Sequence, residues 1–565
     1  MKFLFFSSVI SLLCITNFLQ AQTIPLGQLE NVEDANRRQQ LLGNDKSNSS
    51  YMIRPLTASH ESDQSVDSGS HHSSFISIRK AVFANTKLKA KVYLLPVIID
   101  QQYNSHHPYG INDGPMIPAK GYQTMVSAGV FAKLGPLSMQ LKPEYVFADN
   151  PEFQTLTEAP NGTFFTLPVA RYHNSIDLPD RFGDGNYSRL RWGQSSIRLN
   201  AGPVSLGLST ENLWWGPGIK NSLLMSNNAA SFEHYTLNTT RPIKTYIGSF
   251  EAQIIAGRLN QSGVATPVGP EFIRKPQDWR YISAMVLTYQ PKWIPNFSVG
   301  FDRSFVVDRR NMGNSLKDYF PIFGAVEKKA YTASDGTNTD DEAERDQYIS
   351  FFTRYVLPAS KAEIYFQFGR TDHSYDIRDA IVEPEHTRAY IFGFRKLVPL
   401  NRSDEYIQIG VEVTQLEKSK TRDLRASGSW YNHYQVLDGY TNEGQVIGAG
   451  IGPGSNLQSM NVSWVKGLKR IGIQFERLVN NNDLFYEFAY ESREMSQYIN
   501  RHWVDLSVAG KFSWNYKHLI LNSQLTYIRS LNYQYQGNTG LSDFWNWDKQ
   551  DVNNVQFKVG IMYGF

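Results

Sequence analysis

Apolar and polar residues alternate in runs of ten or more positions along most of the chain, beginning near Lys87. The last run is the clearest, because Phe557, Val559, Ile561 and Tyr563 share one face. Successive side chains of a strand point to opposite faces, so each run predicts a β-strand with one apolar and one polar face. Strands of soluble sandwiches average about 5–6 residues, whereas a tilted bilayer crossing takes roughly 9–11. The length of the runs therefore favours membrane-spanning strands.

Eighteen such segments can be marked, and an even number is expected of a single-chain bacterial barrel. The sequence therefore predicts an all-β fold, a transmembrane antiparallel β-barrel of about 18 strands. The predicted strands are 87–99, 122–134, 136–147, 188–202, 203–213, 232–243, 248–259, 281–290, 296–306, 347–357, 361–373, 386–397, 405–416, 458–466, 469–478, 502–514, 517–530 and 553–565.

The connections between these segments alternate between tight and long, as in outer-membrane barrels. The tight ones are Gly135-Pro136, Gly202-Pro203, Pro291 to Pro295, Pro358 to Ser360, Gly467-Leu468 and Trp514 to Tyr516. The long ones are 148–187, 214–231, 260–280, 307–346, 417–457, 479–501 and 531–552. This parity places the tight turns and the N-terminal segment on the periplasmic side and the long loops outside.

A spanning sheet has to close, because nothing in lipid can pair with an exposed N–H or C=O group. A cylinder of this size has room for an aqueous lumen. The polar strand faces would line that lumen, through Glu363, Gln408, Glu412, Asp505, Lys511, Gln524 and Lys558.

The N-terminus resembles a secretory signal, with Lys2 before an apolar core from Phe3 to Ile15 and a small residue, Ala21, before the expected cleavage site. We therefore divide the chain into a signal peptide (1–21), a partly flexible periplasmic segment (22–86) and the barrel (87–565). The one cysteine, Cys14, lies inside the signal, so no disulfide is expected after export.

The periplasmic segment is poor in core-forming residues, and only Leu26 to Leu42 is a credible helix. Asn44 to Ser50 and His60 to Ser74 are dense in polar residues and are expected to be flexible. The histidines in the second stretch have no carboxylate or cysteine at ligand spacing, so a solvated linker is favoured over a metal site.

The amino-acid composition excludes further classes of protein. A mean hydropathy of −0.40 excludes an ordinary helical membrane protein. The chain has 56 Lys plus Arg residues and 53 Asp plus Glu residues, so its charge balance gives no indication of nucleic-acid binding. Aromatic residues make up 13% of the chain, which suits a barrel with an apolar outer surface and two ends that contact water.

Two predicted outer loops carry unusual residues. Ser209 to Thr245 contains the pair Trp214-Trp215 before a Gly-Pro-Gly turn and then Asn227-Asn228, and Asn221 to Met225 could form one helical turn. Indole faces pack on the C–H faces of sugar rings while amides bond hydroxyls, so this loop could hold a glycan. The alternative is that the Trp pair fills the core of the loop or lies in an interfacial belt.

The second loop, Trp430 to Gln458, repeats the Gly-Pro-Gly turn and offers His433, Tyr440 and Asn442 beside aromatic residues. Glycan contact and plain loop packing are both open for it. The arginines between Arg181 and Arg191 could meet an acidic sugar or a lipopolysaccharide phosphate, or could pair with Asp180 and Asp184.

The chain has no GxSxG or HExxH pattern, and the acidic stretch 335–346 lacks the spacing of a calcium loop. We therefore expect no enzyme activity, no metal and no cofactor. Three hypotheses for the function remain: a surface lectin, a porin-like solute channel and, least favoured, an outer-membrane hydrolase.

The segments WWGPG…SNNA, IGSFEAQIIAGRL and GYTNEGQVIGAGIGPGSN resemble the capsule assembly protein Wzi family, from about residue 80 to the C-terminus. The resemblance implies an 18-stranded outer-membrane barrel that binds capsular or extracellular polysaccharide and helps to hold the capsule at the cell surface, in contact with outer-membrane lipid and lipopolysaccharide. It also implies periplasmic helices that cover the inner end of the barrel. On chemistry and on these segments, the candidate glycan-binding residues are Trp214, Trp215, Asn227, Asn228, His433, Tyr440 and Asn442.

Overall fold

An antiparallel sheet of 18 strands closes on itself in the computed structural model, which confirms the predicted fold class. The last strand pairs with the first, from Tyr563 beside Val97 to Gln556 beside Asn104. The residues that the structure describes are 22–23, 25–27, 30–45, 47–58, 81–156, 166–323, 331–332, 338–339, 344–371, 377–402, 404–423, 427–491, 502–535 and 551–565. The predictions for the signal peptide, Cys14 and the linker His60 to Ser74 lie outside the described residues, as does most of the acidic stretch 335–346.

We number the barrel strands in chain order, with β3 and β4 each interrupted once. They are β1 Ala90–Asn104, β2 Gly121–Leu134, β3 Leu137–Leu141 and Glu144–Ala148, β4 Tyr187–Arg191 and Ser196–Ala201, β5 Val204–Ser209, β6 His234–Thr239, β7 Gly248–Leu259, β8 Arg280–Pro291, β9 Phe297–Asp308, β10 Asp346–Leu357, β11 Ala362–Thr371, β12 Arg388–Pro399, β13 Glu405–Gln415, β14 Asn456–Lys466, β15 Lys469–Val479, β16 Val504–Tyr516, β17 Leu519–Leu531 and β18 Val552–Tyr563. The helices are α1 Glu30–Leu41, α2 Thr166–Asn174, α3 Leu316–Tyr319, α4 Ile377–Val382 and α5 Asn482–Glu491.

Tight turns and long loops alternate around the barrel, as predicted. One predicted turn was wrong: β16 continues through Trp514 to Tyr516, and the turn lies at 517–518. Two long connections, 105–120 and 372–387, were not predicted. The predicted strands leave gaps at 100–121 and 374–385, but these gaps were not counted among the long loops.

Apolar side chains of the strands point outwards. Phe557 and Tyr563 on β18 are 45% and 46% exposed, while Gln556, the residue before Phe557, is 1% exposed. The polar faces point into the lumen, as predicted for Gln408, Glu412 and the other residues named above. No described helix has the length and apolar character to cross a membrane.

The N-terminal segment lies inside the barrel end that carries the tight turns. The predicted helix is present as α1, and three arginines surround one strand carboxylate. Arg37 Nε and Arg395 Nε lie 3.0 and 2.8 Å from Glu363 Oε1, and Arg354 Nε donates to Oε2 at 2.7 Å. Burial raises the pKa of Asp34 on α1, but the adjacent arginines outweigh it and hold that pKa below its usual range. Ionic contacts therefore anchor α1 in the lumen.

The stretch that follows α1 also packs against the barrel wall. Ser50 N donates to Glu251 Oε2 at 2.8 Å, and Arg354 Nη1 donates to Ser50 O at 2.8 Å. We expected Asn44 to Ser50 to be flexible, and these contacts contradict that for Ser50. Its polar composition reflects polar partners in the lumen.

Candidate functional site

The loop between β5 and β6, residues 210–233, folds into the lumen and is fixed at its tip by one carboxylate. Glu412 on β13 accepts hydrogen bonds from the backbone N–H groups of Ile219 (2.8 Å), Lys220 (3.1 Å) and Asn221 (2.9 Å). Tyr365 OH donates to the same carboxylate at 2.7 Å. Three consecutive N–H groups around an anion form a favourable concave site, so Glu412 holds this loop, which we call the inner loop, inside the barrel.

The Gly-Pro-Gly turn of the inner loop requires its glycines. Gly216 has φ +98°, and a Cβ there would meet the side chain of Gln367. A Cβ on Gly218 would lie 1.9 Å from Asn221 O. The predicted helical turn from Asn221 to Met225 is wrong, because the stretch has only a bend at Leu223 and Leu224, and the backbone N–H of Asn221 bonds to Glu412.

The two adjacent tryptophans of the inner loop have different surroundings. Trp215 has no exposed surface, and its Nε1 donates to Gln253 Oε1 at 3.0 Å. Trp214 is 5% exposed and carries the Arg54 guanidinium over its ring at 4.6 Å. Both pair as a short ladder with residues 53–54 of the N-terminal segment. The pair thus lies in the loop core, where the N-terminal segment meets the inner loop.

The loop between β13 and β14 also folds into the lumen at the long-loop end, where it packs against the inner loop. Tyr440 is fully buried, with its ring 4.4 Å from that of Tyr348 and its hydroxyl donating to Ser304 Oγ at 2.9 Å. Asn442, also fully buried, donates through Nδ2 to Ala230 O at 3.0 Å. These two predicted residues therefore join the second loop to the barrel wall and to the inner loop.

Asn227 and Asn228 hold the inner loop against the connection 105–120. Asn227 Nδ2 donates to Asn112 O at 3.0 Å. Asn228 Nδ2 donates to Val446 O at 2.9 Å, and its Oδ1 accepts from Asn112 N at 3.2 Å. Asn227 is buried, and Asn228 is partly accessible.

His433 is the one predicted residue outside this packed region. Its ring stacks on Tyr434 at a centroid distance of 5.0 Å, and Tyr434 is 67% exposed. His433 Nδ1 accepts hydrogen bonds from the backbone of Gln435 and Val436, which fixes the ring. The stacked pair forms an aromatic platform at the long-loop end.

Sequence reasoning missed Tyr434, although it lies in the quoted second loop, because composition does not show which aromatic residue faces solvent. It also missed Arg54, since a short polar segment gives no apolar pattern. The adjacent Arg37 and Arg38 on a predicted helix could have indicated that this helix lies in the lumen, because the carboxylates of a polar lumen can pair with arginines.

A cavity of about 610 Å³ remains between the filled side of the lumen and the inner wall formed by β13 to β18. Its lining runs from Trp503 and Pro179 near the long-loop end to Asp34 and Arg470 near the tight turns. Two ion pairs cross it: Lys558 Nζ with Asp113 Oδ1 at 2.6 Å, and Lys220 Nζ with Glu476 Oε1 at 2.9 Å.

The arginines at 181–191 pair mainly with carboxylates of the protein. Arg191 and Arg189 contact Glu443, and Arg181 lies 3.6 Å from Glu152 and 4.0 Å from Asp184. Ordinary loop charge pairing therefore accounts for them, with Glu443 as the partner that the sequence did not indicate. Within the described ranges, no group of three or more histidine, cysteine, aspartate or glutamate residues could hold a metal ion.

Comparison with known proteins identifies the family. The sequence pattern of the capsule assembly protein Wzi family matches residues 103–525, about three quarters of the chain. The chain belongs to the capsule assembly protein Wzi family. Its barrel, with an apolar outer surface, is that of an outer-membrane protein of this family. No curated protein sequence matches the chain.

Among solved structures, the barrel is similar to Wzi of Escherichia coli, described as an outer membrane protein involved in group 1 capsule assembly and a carbohydrate-binding β-barrel. The TM-score is 0.59 at 13% identity, covering 97% of this chain and 100% of that one. Acinetobacter baumannii OccAB2 matches at TM-score 0.38 and 10% identity, over 83% of this chain and 98% of that one. A BenF-like porin from Pseudomonas fluorescens matches at 0.36 and 8%, over 84% and 99%. The Wzi match shows a shared fold, and the other two matches are too distant to carry an argument.

Proposed function

We propose that this protein binds capsular or extracellular polysaccharide at the cell surface and supports capsule assembly or attachment there. The observation that carries the proposal is the filling of the lumen from both ends, by the two loops at one end and by α1 at the other. Contacts that fill the lumen would obstruct transport through a wide pore. They also make the outer loops rigid, and a rigid outer surface is suited to binding a polymer. Family membership supports the same proposal.

We propose that binding is weak at each contact and strong in sum. A polysaccharide repeats the same units, so many copies of the protein can hold one polymer at once, and retention then exceeds any single affinity. The His433–Tyr434 platform is well placed to stack on sugar rings at the outer end. Trp215, Tyr440 and Asn442 would act by keeping the two loops in place.

The proposal includes the location and the other partners. Residues 1–21 direct export, residues 22–86 lie on the periplasmic side, and the barrel from residue 87 contacts outer-membrane lipid and lipopolysaccharide through its apolar wall. The protein acts without catalysis, metal or nucleic acid. Glu363 and Glu412, engaged by arginines and by backbone N–H groups, would serve as anchors of α1 and of the inner loop.

The test combines binding with conductance. Purified protein in detergent should retain the polysaccharide of its own strain on a sensor surface, and single barrels in a planar bilayer should show no steady large conductance. If the protein bound no polysaccharide and formed a stable open pore, the solute-channel hypothesis would be favoured instead. Release of sugars from polysaccharide or of fatty acids from lipid would favour the hydrolase.

A further inference from the structure

The residual cavity of the lumen has the size and the lining of a ligand site. Its volume of about 610 Å³ falls inside the range of roughly 300–1,000 Å³ that is usual for small-molecule pockets. One side is the strand wall and the other is the packed inner loop with the connection 105–120. The cavity is thus bounded by elements that the ion pairs Lys558–Asp113 and Lys220–Glu476 hold at a fixed distance.

The strand wall presents polar side chains of mixed kind. Amides both donate and accept hydrogen bonds, as sugar hydroxyls do. Two cationic groups, those of Arg470 and Lys511, stand among them, and carboxylates such as Asp34 and Glu476 line the cavity as well, so the lining suits a glycan rich in hydroxyls. The wall residues are Asn461, Arg470, Gln474, Lys511, Asn522 and Gln524.

Trp214 lies on the opposite side of this cavity. The ring is 95% buried, and its Nε1 has no hydrogen-bond partner among the described residues. A buried indole N–H almost always has an acceptor. Trp215 next to it has one in Gln253. The Nε1 atom is also closed off from solvent, so Trp214 faces the cavity through carbon atoms of its ring, which can pack against the C–H groups of a sugar.

The cavity ends at α1. Asp34 and Arg37 of that helix line it, and the ion pairs with Glu363 and Arg395 hold the helix across the tight-turn end. A polymer that entered from the long-loop end would meet the helix and stop.

We infer that this cavity binds the end of a polysaccharide chain, a few sugars long, so that the protein recognises chain ends in its lumen as well as the polymer at its surface. The inference rests on the proposed function and adds a location and a mode of recognition to it. An end-binding site takes one chain per barrel, whatever the length of the chain.

The test compares fragments of different length. The polysaccharide of the producing strain is shortened by partial acid hydrolysis, and each size class competes with labelled full-length polymer for the purified full-length protein. At equal mass, shorter fragments carry more ends, so their potency should rise in proportion to the number of chains. Potency that falls with shortening would contradict end recognition.

Variants locate the site. Asn522→Trp and Gln524→Trp fill the cavity and should weaken fragment binding at least tenfold. The matched control is Leu525→Trp on the same strand, which points outwards with 57% exposure and should bind like wild type. Heat-modifiable migration on gels checks that each barrel is folded.

The outcomes separate this inference from the proposed function. Wild-type fragment binding in both filled variants would overturn the lumen site, while binding of long polymer would still stand. Failure of the wild-type protein to bind polysaccharide of any length would overturn the proposed function itself.

Discussion

Removal of the Glu412 carboxylate should release the tip of the inner loop. This carboxylate accepts hydrogen bonds from the backbone N–H groups of Ile219, Lys220 and Asn221 and from Tyr365 OH, and its side chain is almost fully buried. Hydrogen bonds to a charged group contribute about 1.5–3 kcal/mol each. Four of them at the lower value sum to roughly 6 kcal/mol. Because neighbouring contributions are not additive and water can enter the site, we expect a loss of about 3–5 kcal/mol.

The assay is hydrogen exchange followed by mass spectrometry on peptides that cover 216–224. Local opening governs this exchange, and each 1.4 kcal/mol corresponds to a factor of ten. The amides of the loop tip should therefore exchange roughly 100-fold to 4,000-fold faster in Glu412→Ala, and to an intermediate degree in Glu412→Gln. Glu233→Ala changes an exposed carboxylate at the stem of the same loop and should leave the rates unchanged. Unaltered protection at 219–221 in Glu412→Ala would refute the anchoring role of this carboxylate.

Three further predictions concern the other contacts that fill the lumen. Glu363→Ala leaves three buried arginines without their shared carboxylate, at a cost of about 3–5 kcal/mol, so α1 should become sensitive to protease; resistance equal to wild type would contradict the ionic anchoring. Trp215→Ala removes a fully buried indole and should lower the free energy of unfolding of the lumen core by about 3–5 kcal/mol, measured by hydrogen exchange at 210–233, and an effect below about 1 kcal/mol would show that the core does not depend on it. Burial, with His106 beside it, lowers the pKa of His107 in the connection 105–120 to about 3. Since the unfolded value is near 6.5, the contribution of neutral His107 to stability is complete above that pH and declines as pH falls from 6.5 towards 3, by about 2 kcal/mol at pH 5. The thermal midpoint of wild type should therefore fall more than that of His107→Gln between pH 7 and pH 5, and parallel curves would contradict the assignment.

The strand pattern could be read from the sequence because it is local. Period-two alternation placed Glu412 and Gln524 on the lumen face, and the structure confirms both. The hydrogen-bond partner of Glu412 could not be predicted in the same way, because the loop tip at 219–221 lies 191 residues away along the chain. Such pairing depends on closure of the whole barrel.

The fate of the aromatic residues illustrates the same limit. Tyr434 and Tyr440 lie six positions apart in one loop, yet the first is 67% exposed and the second is fully buried. Residue type suits both for sugar contact, and only tertiary packing separates them. The burial of the N-terminal segment in the lumen could not be predicted for another reason: arginine and carboxylate groups bury it, and hydropathy does not register burial by ion pairs.

The most direct measurement of the central claim is the amount of polysaccharide that stays on cells. A strain that lacks this protein should shed most of its capsular polysaccharide into the medium while it makes a normal total amount, and wild-type protein supplied from a plasmid should restore the cell-bound fraction. Unchanged cell-bound polysaccharide in the deletion strain would contradict the claim that this filled barrel holds polysaccharide at the surface.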